Sequence, residues 1–226
     1  MRRENKLDLT NTVSEDSIEK LAFVAFGWLL ALLAPVIVDA NKRRRENDLG
    51  RLAIMSELRE LGCMLSTAAY GARMRLGTVD RKFLEWLKCD LEHHASTPEF
   101  QAFVPKLRKQ LCLTDGEMKA VAAHMSADDG KGTMLQKYPV PLLDARVSAL
   151  WSFDTSLQRE LLAIRQNLGM LEDVVDRSRK YFDMTFTKLE EENHRLVAEN
   201  LEQTYALYAE RAERIVRMIR KLATAP

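Results

Sequence analysis

A chain of 226 residues with 46% hydrophobic and 30% charged side chains has the balance of a folded protein of one or two domains, not that of a disordered one. Its 34 basic and 33 acidic side chains nearly cancel, which removes the global field that draws a protein onto nucleic acid or an acidic substrate. Three cysteines, Cys63, Cys89 and Cys112, form neither a CxxC pair nor a disulfide framework, and they read as reduced thiols in a cytoplasmic setting.

Residues 1–20 are a polar N-terminal tail in which five acids (Glu4, Asp8, Glu15, Asp16, Glu19) outnumber four bases (Arg2, Arg3, Lys6, Lys20). From Leu21 to Val38 no residue is charged. At 1.5 Å per residue this stretch spans about 27 Å, close to the roughly 30 Å hydrocarbon thickness of a bilayer. Eleven of its residues are Leu, Ile, Val or Phe. Their insertion preferences sum to roughly 3 to 7 kcal/mol before Pro35 subtracts from them. The apolar residues run all round the helix, which predicts a transmembrane span and not the striped face of a surface helix. Two other readings compete: a buried core helix, and a signal peptide cleaved after Val38-Asp39-Ala40. The acidic tail is not the positive region that opens a signal peptide, and the block Lys42, Arg43, Arg44 and Arg45 resists translocation. That block, within a basic juxtamembrane segment 39–48, sets the C-terminal side as cytoplasmic and is also able to hold anionic headgroups. Gly27 and Ala31 make a small-xxx-small pair at which two membrane helices can approach closely.

Residues 49–137 read as a helical lobe. Leu49, Leu52, Leu58, Leu61, Leu65, Ala68, Ala72 and Leu76 follow a near three-and-four spacing, so an amphipathic helix is expected, running on from the membrane span. Thr78-Val79-Asp80-Arg81 predicts a new helix start, with Phe83, Leu84, Leu87 and Leu91 on its apolar face and an end before Ser96. Thr97-Pro98-Glu99 opens another helix, expected to reach about Leu111 with a kink at Pro105. Thr114 and Glu117 stand at capping-box spacing before a short helix ending near Ser126, and Asp128 to Gly132 is a loop.

After Tyr138-Pro139-Val140-Pro141, residues 138–226 read as a long coiled-coil-like helical region. One seam takes Leu150, Leu157, Leu161, Ile164, Leu168, Leu171, Val175 and Phe182, skipping Asp154 and Ser178. It resumes through Leu201, Thr204, Tyr208, Ala212, Ile215, Ile219 and Leu222. Two forms stay open: a continuous rod of about 120 Å, or a hairpin turning at Asn167 to Gly169. The helix ends in a basic amphipathic stretch carrying Arg211, Arg214, Arg217, Arg220 and Lys221. Of these, Arg214, Arg217, Arg220 and Lys221 are candidate contacts for an acidic membrane or a partner helix, although their i,i+4 pairing with Glu210 and Glu213 also suits a plain helix end.

No spacing supports catalysis, a cofactor or a metal. Glu191 and His194 have the ExxH spacing of di-iron proteins, but only Asp90-Leu91-Glu92-His93 approaches a second copy. Cys89 and His93 lie one turn apart with no second ligand pair. Gly130-Lys131-Gly132-Thr133 lacks the phosphate-loop spacing, and Asp128 with Asp129 lacks the EF-hand pattern. No Gly-x-Ser-x-Gly occurs, and no basic surface interleaved with aromatics offers itself to nucleic acid.

The expected fold is all-α: a single N-terminal transmembrane helix, then a cytoplasmic helical bundle with a long heptad-patterned C-terminal helix or helical hairpin. The expected function is that of a single-pass scaffold or regulator in an inner or plasma membrane, with no enzymatic activity and no cofactor. Its partners are the lipid bilayer and a protein or second copy met through the heptad helices, without nucleic acid. Two alternatives stand beside it: a membrane-perturbing effector of a bacterial toxin or defence system, and a helical metalloprotein or enzyme with a dispersed site.

Overall fold

The computed structural model describes residues 15–126, 134–188 and 190–224, and every regular element among them is helical. In chain order these are α1 (Glu15–Arg75), α2 (Arg81–His94), α3 (Pro98–Gln101), α4 (Val104–Leu111), α5 (Asp115–Ser126), α6 (Pro141–Arg146), a 3-10 turn (Val147–Ser152), α7 (Thr155–Met184) and α8 (Glu191–Thr224). Contacts divide the chain into two units, Met1–Leu49 and Gly50–Pro226. In the first, the described residues are one stretch of helix that carries Pro35 without ending there.

The second unit contains the core. Along α1 the buried positions Ile54, Leu58, Leu61, Leu65, Ala69 and Ala72 step by four and three, which keeps them on one face. The expected seam began instead at Leu49 and Leu52, and these are 58% and 66% exposed. The step of six from Leu52 to Leu58 explains the correction: at 100° per residue it carries Leu52 roughly 120° off the buried face. Gly77, at φ 66°, closes α1 in a left-handed cap where the Gly77 N–H donates to the Met74 carbonyl and the Thr78 N–H to that of Arg73. Thr78 therefore ends one helix, and Asp80 opens the next by accepting the Phe83 N–H at 2.7 Å.

Proline acts more strongly at 105 than the sequence reading expects. Pro105 has no N–H to give the Gln101 carbonyl, so the predicted single kinked helix is two, α3 ending at Gln101 and α4 beginning at Val104. The capping box at Thr114 forms as expected: the Thr114 N–H donates to Glu117 Oε2 at 2.8 Å, and the Glu117 N–H to Thr114 Oγ1 at 3.3 Å. Helix α5 is described as far as Ser126, and the expected loop after it lies outside the described residues.

Of the two expected forms the tail takes the hairpin, but it does not turn at Asn167 to Gly169. Helix α7 passes through Asn167 and Gly169 to Met184, and the chain reverses direction between α7 and α8. Gly169 is half-buried beside Arg165 inside the helix, where it costs only about 1 kcal/mol and is no reason to turn. Instead Thr185 and Thr187 turn their hydroxyls back onto the carbonyls of Phe182 and Met184. Helix α8 then runs antiparallel to α7, since Arg211 meets Met170 while Lys221, ten residues on, approaches Glu160, ten residues back. Leu150 through Val175 of the first seam and Tyr208, Ala212, Ile215 and Ile219 of the second are buried in one apolar cluster with α1, α2 and α4, whereas Phe182 is only half-buried, so the two seams cover each other within the same chain. The segment 134–140 adds Leu135 and Val140 to that cluster. Glu57 fixes the start of α6 by accepting the N–H groups of Leu142 and Leu143, both at 2.8 Å.

Candidate membrane segment and buried ion pairs

Phe23, Val24, Phe26, Trp28, Leu29, Leu32, Leu33, Val36, Ile37 and Val38 are each between 45% and 77% exposed. Fully covering a large apolar side chain is worth about 1.5 to 3 kcal/mol, so leaving these ten partly exposed side chains in water forfeits on the order of 10 to 20 kcal/mol. That is as large as the whole stability of an ordinary domain, about 5 to 15 kcal/mol. This helix is long and apolar enough to cross a membrane, and no part of its apolar window is buried. A Cβ added at Gly27 would meet nothing within 4 Å, and Ala31 one turn on is also exposed, so the two small residues leave an open notch. Lys42, Arg43, Arg44 and Arg45 are exposed and make no ion pair among the described residues.

The four basic residues singled out near the C-terminus do not share one fate. Arg214 reaches Glu210 at 3.0 Å, Arg217 reaches Glu213 at 3.2 Å, and Lys221 lies 3.9 Å from Glu160, all three with exposed side chains. Arg220 faces inward, and its side chain is only 14% exposed. Its guanidinium grips Asp90, itself 4% exposed, through Nε–Oδ1 at 2.7 Å and Nη2–Oδ2 at 3.1 Å. The same group lies 3.6 Å from Cys63 Sγ and 3.4 Å from the Arg59 carbonyl. Space for it comes from Gly62, where a Cβ would stand 2.8 Å from Arg220 Cζ. Helices α1, α2 and α8 therefore meet at one buried ion pair, and Arg220 is withdrawn from the outward basic face. Burial pushes the Cys63 thiol up against the opposing pull of Arg220, so Cys63 is held as a thiol and not as a nucleophilic thiolate.

A second joint lies nearer the end of α1. Glu213 accepts from Arg73 Nε at 2.7 Å on one oxygen and from Arg217 at 3.2 Å on the other. Arg73 also lies over the Phe83 ring, with Cζ 4.6 Å from its centroid. Beside this joint a cleft of about 310 Å³ is walled by Lys82 and Trp86. A separate pocket of about 250 Å³ lies among Gly71, Ala72, Tyr138, Tyr205 and Tyr208. The Tyr208 hydroxyl donates to the Gln136 carbonyl at 3.2 Å, and burial pushes that phenol far above its ordinary range.

Sequence reasoning missed both joints, although a signal for each was present. Asp90 falls on the apolar face of Leu84, Leu87 and Leu91, and Glu213 falls among Ala209, Ala212 and Val216. A carboxylate on a buried face demands a cation. The sequence does not say which one.

Other candidates are engaged elsewhere or dispersed. His93 Nδ1 is 2.7 Å from the Cys89 carbonyl and 3.6 Å from its sulfur, while Glu92 pairs with Arg108 at 2.8 Å. Glu191 is exposed and His194 half-exposed in the first turn of α8. Among the described residues no three His, Cys, Asp or Glu side chains gather where a metal ion would sit. Asp128, Asp129 and Gly130 to Thr133 lie outside the described residues. Compared with family models, curated proteins and solved structures, the chain matches none.

Proposed function

We propose that this protein is a single-pass, membrane-anchored helical scaffold or regulator, a transmembrane helix joined to a cytoplasmic helical bundle that works through protein contacts and not by catalysis. The observation carrying this reading is the uncovered apolar helix Phe23–Val38, for which a bilayer is the solvent that removes the cost. Lys42 to Arg45 support a cytoplasmic C-terminal side, because bases close to a span resist export. Since α7 and α8 cover each other's seams, partner contacts fall to outward groups: the Arg214, Arg217 and Lys221 side chains and the exposed Trp151 and Phe186. Crosslinking in intact membranes is expected to capture a partner or a second copy, with capture reduced by Trp151→Ser or Phe186→Ser. A strictly monomeric, partnerless protein contradicts the reading.

A second reading, a membrane-perturbing effector, draws on the open notch at Gly27 and Ala31, where helices are able to pack at close range. Expression would then depolarise cells, and Gly27→Ile would abolish the effect. Innocuous expression of the unaltered protein excludes it.

A further inference from the structure

The cleft between the end of α1, the start of α2 and the last third of α8 has a charge and aromatic composition that the Arg73–Glu213–Arg217 joint does not use up. Three cations, Arg73, Lys82 and Arg217, face two carboxylates, Asp80 and Glu213. Both oxygens of Glu213 are taken, one by each arginine, and Asp80 is engaged in capping α2. Lys82 is exposed and makes no ion pair or hydrogen bond among the described residues, so one positive charge is left over at the rim. Lys82 and Trp86 stand four apart and thus share a face of α2. The half-buried Trp86 lines the cleft with its ring 5.5 Å from that of Phe83, which Arg73 already covers, so Trp86 is the aromatic side chain left for a ligand. The volume, about 310 Å³, belongs to the small end of ligand pockets.

We infer that this cleft binds a small planar aromatic carboxylate, its ring against Trp86 and its charge between Lys82 and Arg217. Such a ligand would bridge α2 and α8. The inference stands apart from the membrane reading, since every residue in it lies beyond Gly50.

The test uses the full chain in phosphatidylcholine nanodiscs, titrated calorimetrically with 2-naphthoate and with its neutral counterpart 2-naphthamide, against empty nanodiscs as reference. Saturable binding of one naphthoate per chain is expected, weaker by about tenfold or more for the amide and for Lys82→Glu. Arg217→Gln should weaken it too while leaving the Arg73–Glu213 contact in place. Absence of saturable naphthoate binding, equal binding of the amide, or unchanged binding by a folded Lys82→Glu protein each overturns the inference.

Discussion

Two stretches of the same helix, α1, both carry large apolar residues, more densely in Phe23–Val38 than in Ile54–Ala72, and treat them in opposite ways. Between Phe23 and Val38 these side chains point in every direction and nothing covers them, whereas between Ile54 and Ala72 they follow one face and disappear into a core with α2, α7 and α8. Helix propensity is common to both stretches, so it does not decide their surroundings. What differs is that the first stretch has no charged residue on any face, whereas the second carries Glu57, Arg59 and Glu60 beside its apolar face, and that decides whether lipid or protein is the solvent each stretch requires.

The comparison breaks most severely at the buried ion pair. Asp90→Ala leaves the Arg220 guanidinium without its carboxylate among α1, α2 and α8, and is expected to cost about 3 to 5 kcal/mol in chemical denaturation. Asp90→Leu combined with Arg220→Met should recover most of that loss, because replacing both charges removes the desolvation penalty as well. Next comes a pair of leucines. Leu65→Ala, in the core, should destabilise the second unit by about 2 to 5 kcal/mol, whereas Leu29→Ala should leave its thermal unfolding within about 0.5 kcal/mol. The converse holds for charge: Leu29→Arg adds about 3 kcal/mol to the cost of membrane insertion and should move the chain from the membrane to the soluble fraction. If Leu29→Ala melts like Leu65→Ala, the exposed stretch is packed in protein and the contrast between the two halves fails.

The smallest expected effect sharpens the description of local structure. Glu117 is held below the usual carboxylate range by the Thr114 N–H and hydroxyl. A depressed folded pKa means that its contribution is present above the unfolded value, about 4.3, and is lost as pH falls through the folded one. Helicity in α5 should therefore drop on acidification from pH 5 to pH 3, and Thr114→Ala should flatten that dependence while lowering helicity slightly at pH 7. Circular dichroism across the range measures both.

How much of this was legible in the sequence depends on whether the determining interaction is local. The capping box at Thr114 and the helix opened at Asp80 were readable because caps involve residues within four positions. The α7 and α8 seams were readable from periodicity alone. Their turn was not, since Gly169 is a breaker by propensity while Thr185 and Thr187, which hold the chain as it leaves α7, carry no strong signal. The Arg220–Asp90 pair joins residues 130 positions apart and needs the gap at Gly62, neither of which periodicity reveals. Arg220 consequently resembled its neighbours Arg214, Arg217 and Lys221 until the packing distinguished it.

The central claim, a retained anchor with the C-terminal side in the cytoplasm, is tested most directly by protease protection in sealed vesicles of both orientations. After a carbonate wash that strips peripheral proteins, the chain should remain with the membrane, and protease at the cytoplasmic face should digest residues 50–224 while protease at the opposite face leaves them intact. Release by carbonate, or digestion from the opposite face alone, would contradict the account.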